Sequence, residues 1–371
     1  MTTIISGSSP SITFSDSTTQ STTAPSTSTF GFKNRIINGG MVIDQRNAGA
    51  SVTPTTEGTY LLDRWNASLS QTSKFSVQQL SASPPVGFTN YLGVTSLSAY
   101  TLGSGDYFSI RQKIEGLNVA DLSWGTANAK TVTLSFQIYS SLTGTFGGVI
   151  NNSAQNRSYP FSYTVSSANT WTPISITIAG DTSGTWLTTN GIGIGIQFGL
   201  GVGSTYSGTA GSWSANSYIS ATGAVSVVGT SGATFYITGV QLEVGTQATS
   251  FDFRDYGREL MLCQRYYQKV TNGVTDRGLG VGFWYNSTTM VSQIAFQVNM
   301  RSSPTLDVNS GSNYFILYSN SAGTPMNTVT LNDATPYTGA VTQNSLSGTS
   351  GSAGQFKSNN ASSSLAFTAE L

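Results

Sequence analysis

No histidine occurs anywhere in the 371 residues. That single absence removes Ser–His–Asp triads, Cys–His pairs and imidazole metal ligands together. Cysteine is nearly missing as well. The lone Cys263 can form neither an intrachain disulfide nor a multi-cysteine metal site. Charge is scarce: 9% of residues are charged, against about 25% in an ordinary soluble domain. The 16 basic and 16 acidic residues cancel, and no run of Lys or Arg offers the clustered positive charge that a grip on nucleic acid needs. No stretch approaches the ~20 apolar residues of a membrane span. Met1-Thr2-Thr3-Ile4-Ile5 lacks the basic and apolar regions of a secretory signal. The sequence therefore predicts synthesis in a cytoplasm, with no cofactor, metal, nucleic-acid partner or membrane insertion.

What is present is neutral polarity and β pattern. Such surfaces suit proteins that pack against copies of themselves, because few ionic groups must shed water at the contact. From Ser6 to Thr29 most residues are Ser or Thr, broken by Pro10 and Pro25, a composition too polar to build a core. Ile4, Ile5, Ile12, Phe14, Phe30 and Phe32 are spaced along it as apolar anchors. Residues 1–35 are read as an extended docking arm that folds onto a larger body.

From 36 to 254 short strand signals recur between turn clusters. Val132, Leu134, Phe136 and Ile138 alternate on one face, as do Ile174, Ile176 and Ile178. In 192–202 every second residue is large and apolar, while the other face holds Gly193, Gly195, Gly199 and Gly201. A bare face of that kind predicts close approach of another backbone or ring. Phe235, Ile237, Val240, Leu242 and Val244 share one side only if Gly239 is a bulge. The expected fold is all-β: an arm, a jelly-roll β-sandwich over 36–254, a helical connector over 255–268 and a smaller β domain over 269–371. In the connector, Tyr256, Leu260, Cys263 and Tyr267 fall at helical spacing behind a capping Asp252 or Asp255. The Gly/Ser stretch 345–354 reads as a mobile loop or linker.

Several segments then line up in order. They begin with Asn38-Gly39, Gln45-Arg46, Tyr60 and Asp63-Arg64-Trp65, and continue through 131–136 and 180–186. Next come 238–245, Ala248-Thr249, Glu259-Leu260 and Cys263-Gln264-Arg265-Tyr266-Tyr267. Met300-Arg301-Ser302-Ser303-Pro304-Thr305 and Ala369-Glu370-Leu371 complete the series. Over 36–371 this order resembles a bacteriophage tail-fibre and virion-fibre family with a carbohydrate-binding-like β-sandwich module. The resemblance implies a virion location, a sugar-binding-like sandwich and a homotrimer. It extends to no partner for the arm, which would dock on other virion proteins.

For Asp63-Arg64-Trp65, strand alternation predicts Asp63 and Trp65 on one side and Arg64 on the other. The expectation is a core Trp and a structural ion pair. Glycan recognition needs aromatic faces beside amide or carboxylate groups. Tyr206, Trp213, Asn216 and Tyr218 form one candidate, Trp284, Tyr285 and Asn286 a second; a loop Trp folded back onto the core is an equal reading of Trp213. Tyr314 with Tyr318 joins the second group. A glycan hydrolase would need two carboxylates about 5–10 Å apart. Asp106, Glu115, Asp121 and Asp181 are available, but no spacing singles out a pair. The sequence thus predicts a non-enzymatic tail fibre that attaches to a host surface polysaccharide. The alternative is a capsid-associated fibre or decoration protein with a mainly structural role.

Overall fold

The computed structural model describes residues 33–371. Of residues 1–32 it describes three paired two-residue strands, Ile4–Ile5, Ile12–Thr13 and Thr19–Gln20, and nothing of their side chains. Of the arm's six apolar anchors, Phe14, Phe30 and Phe32 lie outside the described residues, and for Ile4, Ile5 and Ile12 only the strand pairing is described.

Strand-forming segments assort into two packed antiparallel sheets. One runs in the order Ser158–Val165, Gly144–Asn151, Ile192–Val202, Tyr107–Glu115, Trp65–Leu69, Tyr60–Leu62. The other runs Thr172–Ile178, Val132–Ser140, Thr234–Val244, Tyr91–Ser96, Phe75–Leu80. The chain passes repeatedly from one sheet to the other, the connectivity of a jelly roll. Inward-facing residues meet between the layers. Val132, Leu134, Phe136 and Ile138 are all buried, and the Phe198 ring lies 5.0 Å from Phe136 and 6.2 Å from Trp65.

The predicted bulge is there. Gly239 has φ 64°, and the pairing with Val132–Ser140 shifts register between Thr238 and Gln241. The Phe88 ring lies 2.6 Å from where a Cβ on Gly239 would stand. The bare face of Ile192–Val202 is filled by protein. A Cβ on Gly193 would come 2.7 Å from the Gly116 backbone, and one on Gly199 would come 2.7 Å from Ser220 Oγ.

Asp255 caps the helix Tyr256–Gln264, accepting from the Arg258 N–H at 2.9 Å. The helix stops short of the expected 268, because Tyr267 already pairs with Thr368 in a sheet. Its inward face also differs from the predicted stripe. Tyr256 is 64% exposed, whereas Glu259 and Cys263 are buried. Glu259 is drawn in by two donors, the Asn38 N–H and the Arg254 guanidinium.

Beyond the helix, a three-stranded sheet (Tyr267–Asn272, Ser364–Thr368, Thr305–Val308) and a seven-stranded sheet enclose a second core. The larger sheet is ordered Ala322–Met326, Phe315–Ser319, Ala353–Ser358, Arg277–Trp284, Met290–Ala295, Thr338–Gln343, Thr330–Ala334. The stretch 345–354 is a packed loop rather than a linker. Gly348 lies against the Trp284 indole, the Gly351 N–H donates to Trp284 O at 2.9 Å, and Ala353 opens a strand.

Candidate functional site

Asn38, Gln45-Arg46, Asp63-Arg64-Trp65, Arg265-Tyr266-Tyr267, Arg301 and Glu370, from among the motifs that carried the resemblance, meet at the junction of the two β domains. Asp63 and Arg64 form the turn between Tyr60–Leu62 and Trp65–Leu69 rather than alternating along a strand; Arg64 has φ 70°. Trp65 is fully buried and donates to Asn38 O at 3.1 Å. Arg64 pairs with Glu370, donates to Lys113 O at 2.6 Å and lies 3.5 Å over the Tyr266 ring. Arg46 also reaches Glu370, at 2.9 Å, and is held between the rings of Tyr60 and Tyr267. Gln45 clasps Asp63 through its backbone and side-chain N–H groups, both at 2.6 Å, and donates to Tyr267 O at 2.9 Å. Arg265 forks onto Glu115 at 2.9 and 2.6 Å, and Tyr266 adds a third donor at 2.7 Å. Arg301 donates to Ala369 O and Glu370 O.

Electrostatics follow from this burial. Burial pushes the Asp63 carboxyl up to about 6, with Arg46 and the Gln45 donors only partly opposing. Burial works against ionised Glu115 too, but Arg265 and Tyr266 outweigh it and hold the carboxyl below its usual value. The Cys263 thiol is buried and pushed well up by desolvation, so it is not a nucleophile. The junction is structural.

The first glycan candidate disperses. Trp213 folds back onto the core: its ring lies 5.3 Å from Trp124, 5.4 Å from Trp186 and 5.2 Å from Tyr159, and its N–H donates to Ala179 O at 2.8 Å. Tyr218 lies against Gly208 and accepts from Asn216 at 2.9 Å. Tyr206 packs edge-on against Tyr107. In the second candidate, Trp284 is buried and bonded to Ser319 Oγ at 3.2 Å, whereas Tyr285 is 70% exposed. Asn286 uses its carbonyl oxygen to accept from Thr288. Strand alternation, which places adjacent rings on opposite faces, divides this pair.

The four carboxylates considered for hydrolysis are each held by donors. Asp106 accepts from Gly103 N–H, Ser70 and Tyr100; Asp121 pairs with Arg35; Asp181 is forked by Arg157 at 2.7 Å twice. Glu115 is engaged at the junction. Among the described residues no group of three or more Cys, Asp or Glu is placed to hold a metal ion, and no helix is long and apolar enough to cross a membrane.

What the structure gathers instead is an aromatic patch on the outer face of the five-stranded sheet. Tyr139 and Tyr236 are cross-strand partners with parallel rings 5.2 Å apart. Trp171 approaches Tyr139 at 5.5 Å and Tyr91 at 5.3 Å, and Tyr91 closes the cluster at 5.1 Å from Tyr236. Trp171 is fixed by donating to Ser83 O at 3.1 Å, and Tyr91 by donating to Ala82 O at 2.8 Å. Tyr139, Tyr236 and Trp171 are half-buried, presenting ring surface to solvent. Two residues along the same face stands Gln137, also half-buried, opposite Pro173 and Thr238. Three solvent-facing rings backed by buried Tyr91, with an amide beside them, can stack on an apolar C–H face and bond to hydroxyls.

No protein-family model matches the chain, and no curated protein matches it in sequence. Among solved structures it is similar to the enzymatically active domain of bacteriophage CBA120 tailspike protein 4. That likeness has 12% identity and a TM-score of 0.32, over 57% of this chain and 21% of that one; the chain spans about a fifth of the tailspike's length. It is similar also to the module TmCBM61 in complex with beta-1,4-galactotriose, at 11% identity and TM-score 0.29 over 57% and 99% of the two chains. A third similarity is to the family 11 carbohydrate-binding module from Clostridium thermocellum in complex with a mixed-linked tetrasaccharide. There the identity is 15% and the TM-score 0.27, over 54% and 98%. At such values no residue role or activity passes from these structures to this chain.

Proposed function

We propose that this chain is a virion fibre protein that attaches to a host surface polysaccharide, without catalysis. In this reading residues 1–35 dock it on other virion proteins, and copies of it assemble as a homotrimer. The observation that carries attachment is the aromatic patch of Tyr91, Tyr139, Trp171 and Tyr236 beside Gln137. Two of its rings, Tyr91 and Trp171, are fixed by hydrogen bonds to backbone carbonyls, and the other two are packed against them, so little conformational freedom is lost on binding. A neutral saccharide suits a neutral surface. The test is titration calorimetry of host polysaccharide into the full chain and into its Trp171→Ala and Tyr236→Ala variants. Loss of one stacked ring should weaken binding about tenfold, or about 1.4 kcal/mol. Unchanged affinity in both variants sinks the site; no binding by the full chain sinks attachment. Antibody labelling of particles sorts fibre position, since signal confined to the capsid favours the decoration-protein alternative.

A further inference from the structure

Asn34, near the start of the described residues, lines a cavity of about 150 Å³. Phe88, Phe251 and Phe253 form one wall, with ring centroids 4.9–5.3 Å apart. Gly39, Gly40 and Gly87 line it without side chains. Arg254 and Glu259 complete the polar part, and its hydrogen-bonding groups are engaged within the protein. Arg254 donates to Ile36 O at 3.0 Å and pairs with Glu259 at 3.2 Å. The Asn34 side chain donates to Val240 O and accepts from the Leu242 N–H, both at 3.1 Å. The space therefore suits an apolar occupant, and a cavity of that volume takes one benzene ring. Water is a poor substitute there: Phe253 is 62% exposed, and Val86 beside Gly87 stands wholly in solvent.

We infer that the occupant is the segment Phe30-Gly31-Phe32 of the same chain, one phenyl ring of which fills the cavity. Reach argues for it. Asn34 belongs to the lining and Lys33 Nζ donates to Ser250 O, so the segment is tethered at the cavity's edge. Two to four residues of extended chain span about 7–14 Å, enough to bring either ring over the cavity. Composition argues for it as well, because between Phe14 and Phe30 the chain offers nothing more apolar than Ala24 and Pro25. A ring on so short a tether meets its seat at high local concentration. Two of the arm's six anchors thus hold its root on the sandwich, and Ile4, Ile5, Ile12 and Phe14 are left for other virion proteins. The seat itself stands whether or not those proteins are met.

The test is chymotrypsin cleavage of the full chain after Phe30 and Phe32, read by mass spectrometry. Gly40→Leu fills the cavity, since a Cβ at Gly40 would lie 3.9 Å from the Phe251 ring, in ordinary contact. Phe253→Ser removes part of the wall at an exposed position, and serves should Gly40→Leu disturb folding. With melting unchanged, each should speed cleavage by about tenfold or more, the factor that burial of one phenyl ring supplies. Equal cleavage of wild type and both variants overturns the seat. Fluorobenzene probes the cavity directly: its fluorine NMR line should broaden with the double variant Phe30→Ala, Phe32→Ala and stay sharp with wild type. Equal broadening by both means a vacant cavity and overturns the proposal. Refolding Gly40→Leu with an excess of the double variant tells whose arm is seated. Cleavage of the Gly40→Leu arm should stay fast; protection recovered from the double variant's cavity assigns the seat to a neighbouring copy and overturns the same-chain reading. None of these readouts involves polysaccharide, so failure here leaves attachment standing.

Discussion

Replacing Glu370 by alanine would leave a guanidinium buried without its counter-ion. The Arg64 side chain is 1% exposed, and what remains to it is Lys113 O at 2.6 Å and the Tyr266 ring beneath. Neither carries a compensating full charge. Breaking one side of such a buried pair costs about 3–5 kcal/mol. Arg46 loses the same carboxylate but keeps some solvent and two aromatic faces, so its share is smaller.

The assay is urea denaturation of the full chain followed by tryptophan fluorescence, on Glu370→Ala, Arg64→Met and the double variant Arg64→Met with Glu370→Met. Each single change should lower stability by about 3–5 kcal/mol. The double variant should recover most of that, because a well-packed apolar pair avoids stripping two ions of water. Since Glu370 follows the last strand of the C-terminal domain and Arg64 belongs to the sandwich, the single variants should also split unfolding into two transitions. The reasoning fails if Glu370→Ala costs under about 1 kcal/mol, the value of an exposed pair, or if the double loses the sum of the singles.

Two other outcomes follow from the packing. Carboxyl NMR titration should find Asp63 near 6, above its usual 3.8, and Glu115 below its usual 4.5. Between pH ~4 and 6 the folded chain holds a proton at Asp63 that the unfolded chain has released. That group's contribution to stability therefore rises as pH falls through this window. Glu115 acts with the opposite sign: its stabilisation is present above the unfolded value and is lost as pH falls toward its depressed folded value. Coincident titration of the two near pH 4 would refute the account. Trp213→Ala should lower stability by about 2 kcal/mol, less than a full core deletion because the ring is half-buried. It should leave polysaccharide affinity unchanged; a melting temperature within error of wild type would remove its packing role.

The parts of the fold written in local period were legible in the sequence. Val132, Leu134, Phe136 and Ile138 betray their strand by alternation alone, and Gly239 betrays its bulge because the apolar side would otherwise change faces. The Asp255 cap needs only its neighbours. The junction is different in kind, since Arg64 and Glu370 stand 306 positions apart and no periodicity links them. The aromatic patch was half written. Tyr139 and Gln137 occupy the face opposite Phe136 and Ile138, which marks that face as unusual. That Tyr236, Trp171 and Tyr91 share it follows only from strand order. Trp213 and Trp284 mislead for a related reason: an aromatic residue among Gly, Ser and Thr looks available until the fold decides whether it turns inward.

The scarcity of charge takes on a definite shape once the pairs are placed. Among the described residues, eight of the sixteen basic residues form ion pairs. Arg46, Arg64 and Arg265 spend theirs at the domain junction, where Glu370 and Glu115 answer them. Three of the eight are thus engaged where the two domains meet, and the patch of Tyr91, Tyr139, Trp171, Tyr236 and Gln137 contains no charged residue. Surfaces built this way gain little from long-range steering and lose little to salt. In the proposed function they hold by area, stacking and repeated copies. That regime suits a protein displayed in multiple copies against a neutral polymer, where many weak contacts made together supply the hold.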